Sequence, residues 1–76
     1  MVCQEKVKTG LVIKLVKEFD DNFEVLYAKN HPGYYHILYG GEIEDRLFTR
    51  EEVALNIEFY FCLGYELLHG PLDMFI

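Results

Sequence analysis

The sequence predicts an α+β fold, an antiparallel meander of about four strands with one long helix packed on a face. Three observations carry this expectation. Short runs rich in β-branched and aromatic residues alternate with turn residues before position 50. A longer segment, 50–63, has apolar residues at helical spacing and recognisable signals at both ends. The chain has 76 residues, 51% hydrophobic and 16% aromatic, which suits a single small domain, 1–76, whose core is built from large rings.

The first strand is expected over 11–19, where Val12, Ile13 and Val16 are β-branched and Asp20-Asp21-Asn22 supplies a tight turn. A helical alternative over 10–20 stays open, giving a three-stranded sheet with two helices. In that alternative Leu11, Val12, Leu15, Val16 and Phe19 share one face and Thr9 caps it. The second strand, 23–29, is stopped by Asn30-His31-Pro32-Gly33, and the third spans 34–39. Gly40-Gly41 fits a two-residue primed hairpin turn. The fourth strand, 42–48, alternates Ile43 and Leu47 with Glu44, Arg46 and Phe48, as a half-exposed edge strand would.

The helix has the most complete local signals. Thr49 and Glu52 form the two halves of a capping box, Phe48 and Val53 occupy the staple positions, and Glu51 and Glu52 sit at the positive end of the helix dipole. Gly64 can adopt the left-handed conformation that terminates a helix, with Tyr65 placed to fold back on Tyr60. At 100° per residue, Val53, Ala54, Ile57, Tyr60 and Phe61 gather on a sheet-facing side. Leu55, Phe59, Cys62 and Leu63 gather on a second side, bordered by Glu51 and Glu58 and by Glu52 and Asn56. A helix lying on a sheet ordinarily has a polar back. Here either the C-terminal Leu67-Leu68 and residues 72–76 fold over that back, or another molecule does.

The net charge of −6 is unevenly spread. Residues 1–19 hold four lysines against two glutamates, +2, while the remainder holds three cations against eleven acids, −8. Such a body repels phosphate backbones and attracts basic protein surfaces, so direct nucleic-acid binding is not expected. The surplus acids also serve solubility. Cys3 and Cys62 are read as reduced thiols, no export signal or membrane-spanning run is evident, and a cytoplasmic location is expected.

Chemistry-bearing patterns are sparse. His31, His36 and His69 lack the close spacing of metal ligands, so neither metal nor other cofactor is expected. Cys62, late in an apolar helix, reads as a packed, inert thiol. Glu42, Glu44, Glu51 and Glu52 lie at a turn and a helix start, where solvation and capping explain them better than acid–base catalysis. An enzyme is therefore the least favoured class.

The expected function is that of a small non-catalytic protein-interaction module that occludes a basic partner surface and also self-associates as a dimer. Its contact patch would be Leu55, Phe59 and Leu63, extended by Phe75 and Ile76, with an acidic rim of Glu42, Glu44, Asp45, Glu51 and Glu52 mimicking phosphate charge. In size and charge, though in no motif, this is similar to small inhibitors such as immunity proteins and phage-encoded nuclease blockers. The alternative is a small-molecule-binding module with a pocket lined by Tyr34, His36, Tyr39 and Tyr60, between sheet and helix or at a dimer interface.

Overall fold

The computed structural model describes residues 10–76. Cys3 and the proposed cap Thr9 lie outside the described residues. The fold is α+β, as the sequence predicts. Its elements are β1 (Leu11–Val16), β2 (Phe23–Tyr27), β3 (Tyr34–Tyr39), β4 (Glu42–Ile43), β5 (Phe48–Thr49), α1 (Arg50–Cys62), β6 (Glu66–His69) and a final 3₁₀ turn, Leu72–Met74. Residues 11–16 are thus strand, and the helical alternative for that segment falls away.

The strands form one antiparallel sheet in the order β4-β3-β2-β1-β6, with β5 also bonded to β3. Three expected boundaries are corrected. The second strand, expected over 23–29, ends at Tyr27, because the chain turns at Ala28, whose carbonyl accepts from the His31 N–H at 3.1 Å. The first strand stops at Val16 because Lys17 to Asp20 turn, closed by the Asp20 N–H donating to the Lys17 carbonyl at 3.0 Å. The expected strand 42–48 is two fragments on the same edge of β3, since Ile43 pairs with Leu38 and Phe48 with Tyr35, while the chain leaves the ladder after the Glu44 N–H donates to the Ile37 carbonyl at 2.8 Å. Within that excursion Arg46 lies over the Phe48 ring at 4.2 Å and bonds Glu52 at 2.7 Å. Gly40 and Gly41 both have positive φ, as the primed turn between β3 and β4 requires.

Cross-strand pairing sorts the side chains into rows. Ile13, Val25 and Ile37 form one row, Leu15, Phe23 and Tyr39 the next, and Tyr27, Tyr35 and Phe48 a third. Helix α1 covers this face, and Val53 and Ile57 complete the buried cluster. Strand parity puts Lys14, Glu24, Leu38 and Ile43 in a row on the opposite face, where the Lys14 ammonium stands 3.5 Å from the Glu24 carboxylate.

The element that sequence reasoning missed is β6. Helix α1 begins at one edge of the sheet and delivers the chain to the other, where β6 pairs antiparallel with β1. Leu67 and Leu68 therefore lie in an edge strand and not on the back of the helix. The remaining tail reaches the opposite end of α1: Phe75 meets the Tyr35 ring edge-on at 5.3 Å, and Arg50 donates to the Met74 carbonyl at 3.2 Å. Among the described residues no helix is long and apolar enough to cross a membrane.

Candidate functional site

Helix α1 is rigidly placed at both ends. At its start the Glu52 amide donates to the Thr49 hydroxyl at 3.2 Å, and the Thr49 amide donates to the Glu52 carboxylate at 2.9 Å, completing the capping box. These bonds, together with Arg46, hold the Glu52 carboxyl below its ordinary range, the Thr49 amide contributing most. At the far end Gly64, with φ +99°, lets the Tyr65 amide reach the Tyr60 carbonyl and its own amide reach that of Phe61, both at 3.0 Å. This doubly bonded termination folds Tyr65 back so that its ring meets Tyr60 edge-on at 5.0 Å.

Around that end lies a tyrosine cluster. Tyr60 stacks on Tyr39 at 5.9 Å and tilts over Phe23 at 4.4 Å. The Tyr65 hydroxyl donates to the Asp21 carbonyl at 2.8 Å and lies 3.3 Å from the Tyr39 hydroxyl. Burial, followed by the bond to Tyr39, pushes the Tyr65 phenol above its ordinary range. Burial, then the charges of Tyr39 and Glu44, raises Tyr60. These groups with displaced pKa values are thus engaged in holding helix to sheet.

The outer face of α1 is open. Leu55 is 66% exposed, Phe59 57% and Leu63 44%, three apolar side chains on successive turns. Cys62 shares this face and is exposed, which corrects the expectation of a packed thiol: its position on the outward arc takes it away from the sheet. Exposed Glu51 and Glu58 flank the apolar row, and α1 carries no basic residue in its last turn.

The anticipated patch is only partly assembled. Leu55, Phe59 and Leu63 stand together, while Phe75 is half-buried against Tyr35 near the helix start, with Ile76 exposed beyond it. Of the acidic rim, Glu44 lies close enough to influence Tyr60, Glu42 and Asp45 are exposed beside β3, Glu51 borders the patch, and Glu52 is committed to the cap. The four residues of the anticipated pocket do not meet around one space. Tyr39 and Tyr60 pack ring against ring under the helix, whereas strand parity sends Tyr34 and His36 to the opposite face.

One contributor escaped sequence reading. In the turn Lys17–Asp20, Phe19 occupies the third position with φ +70°, a conformation ordinarily taken by glycine or asparagine, and its side chain is 96% exposed. The turn abuts the end of α1, because the Lys17 ammonium donates to the Leu63 carbonyl at 2.6 Å. An open hollow of about 450 Å³ lies between them, lined by Val16, Lys17, Glu18, Phe19, Gly64 and Glu66. The sequence places Phe19 at the end of the expected strand 11–19, or on the apolar face of the alternative helix 10–20, and the structure puts it in neither, in a turn conformation that its side-chain type argues against. In comparisons with known proteins, the chain matches no family model, no curated protein and no solved structure.

Proposed function

We propose that this chain is a non-catalytic interaction module that uses the outer face of α1 to occlude a partner surface combining apolar and basic side chains. The observation that carries the reading is the exposed row Leu55, Phe59 and Leu63 on a helix whose two ends are already fully fastened. Scattered exposed apolar residues are ordinary. An aligned row on successive turns is a contiguous patch, which marks contact sites more often than it occurs by chance.

Charge selects the partner. A second copy would set the acidic border of α1 against another acidic surface, whereas a segment with lysine or arginine around a leucine-rich stripe would pair with Glu51 and Glu58. The overall charge of −6 steers the same class of partner at long range. The non-catalytic aspect is supported by the engagement of Glu52, Tyr60 and Tyr65, the titratable groups with displaced pKa values among the described residues, in structural contacts.

The test is titration with a labelled amphipathic helical peptide of leucine and lysine, using a non-amphipathic scramble of the same composition as control. The expected result is preferential binding of the amphipathic peptide, weakening as salt rises. Phe59→Ser should cost at least about 2 kcal/mol of that binding. Reversing Glu51 and Glu58 to lysine should reduce both affinity and its salt dependence. Equal binding of the scramble, or indifference to these substitutions, would remove the proposal. A mass that doubles with concentration and returns to monomer in Phe59→Ser would put a second copy in the partner's place.

A further inference from the structure

We infer that Phe19 is an anchoring side chain of the same docking surface, extending it from the outer face of α1 across the helix terminus to the tip of the β1–β2 hairpin. The inference rests on the reading of α1 as a surface for a basic, apolar segment, and adds to it a second element and a specific contact.

Three observations converge on Phe19. It is held at φ +70° in a turn position where a side chain with a β-carbon is strained, so the fold gains nothing from having phenylalanine there. Its ring is 96% exposed, so core packing does not explain it either. And with Gly64, the residue that follows Leu63 of the patch, it lines the same hollow. The Lys17 bond to the Leu63 carbonyl holds the hairpin tip beside the helix terminus, so a partner segment that runs past Leu63 reaches Phe19.

The hollow also specifies what meets the ring. Glu18 and Glu66 bring two acidic residues to the hollow, and the Lys17 ammonium beside them is engaged by the Leu63 carbonyl and by Asp20 at 3.8 Å. An arginine or lysine at one end of the partner segment can lay its stem on the Phe19 ring and direct its charge towards these acceptors. A leucine stripe on Leu55, Phe59 and Leu63 with a terminal basic residue on Phe19 is the pattern this surface takes.

The experiment uses the leucine–lysine peptide carrying a terminal arginine, titrated against the wild-type chain, Phe19→Asn, Phe19→Tyr and Phe59→Ser, with a thermal melt of each. Asparagine suits the left-handed turn, so Phe19→Asn should melt at or above the wild-type temperature while binding roughly tenfold or more weakly. Phe19→Tyr keeps the ring and should retain wild-type affinity. Wild-type affinity in Phe19→Asn, alongside loss in Phe59→Ser, would overturn this inference and leave the helix surface standing. Failure of the wild-type chain to prefer the amphipathic peptide would overturn both. A lowered melting temperature in Phe19→Asn would show that the ring serves the fold, and would equally overturn the anchoring role.

Discussion

Tyr65 shows how a single side chain joins three parts of this molecule. Its ring closes the helix against Tyr60, and its hydroxyl reaches the Asp21 carbonyl in the first hairpin and approaches the Tyr39 hydroxyl of β3. Because burial, then the bond to Tyr39, raises its folded-state pKa, its contribution to stability is fully present below the unfolded tyrosine value of about 10 and is lost as pH rises through the raised value. Tyr65→Phe should cost about 1 kcal/mol at neutral pH, through loss of the bond to Asp21, and should flatten the alkaline fall in stability; urea unfolding at several pH values checks both. The fold-back of Tyr65 on Tyr60 was legible in the sequence because a helix terminus is a local pattern. The hydroxyl bonds were not, since Asp21 and Tyr39 are distant in the chain and only the folded sheet brings them near. Phe19 was illegible for a different reason: residue preference predicts what turns usually contain, and this position departs from the preference.

Among elements, legibility follows the range of the interactions that define each one. Helix α1 was readable because its cap, staple and termination lie within a few residues of its ends. Glu52 links that local pattern to pH: its folded-state pKa is depressed, so its stabilising contribution is present above the unfolded carboxylate value and lost as pH falls through the folded one. Glu52→Gln should weaken this acid dependence in chemical unfolding experiments. The strand 42–48 was half-readable, since its two ends do pair with β3, but alternation alone does not mark the interruption between them, where Arg46 bonds the Glu52 carboxylate of the next element. Strand β6 was unreadable because Glu66–His69 is only four residues long, lacks alternation and pairs with a strand some fifty positions earlier. Its exit is nevertheless tightly specified. Gly70 has φ +117°, and an added β-carbon would collide with the Val12 carbonyl of β1. Gly70→Ala should therefore destabilise the fold by more than about 2 kcal/mol, with the loss read from the urea midpoint.

For the whole molecule, composition and charge indicated one small aromatic-cored domain with an acidic exterior, and the layered α+β architecture follows from that pattern. The arrangement of the proposed docking surface was not indicated, because only the folded chain sets the hairpin tip beside the helix terminus, through the lysine bond to Leu63. The helix also carries the chain from one margin of the sheet to the other, so β1 is flanked on its second side only when β6 arrives. During synthesis on the ribosome, the nascent β1 must consequently wait with bare backbone donors and acceptors while more than fifty further residues emerge. That delay favours slow, all-at-once closure and leaves a window in which a chaperone has a strand margin to shield.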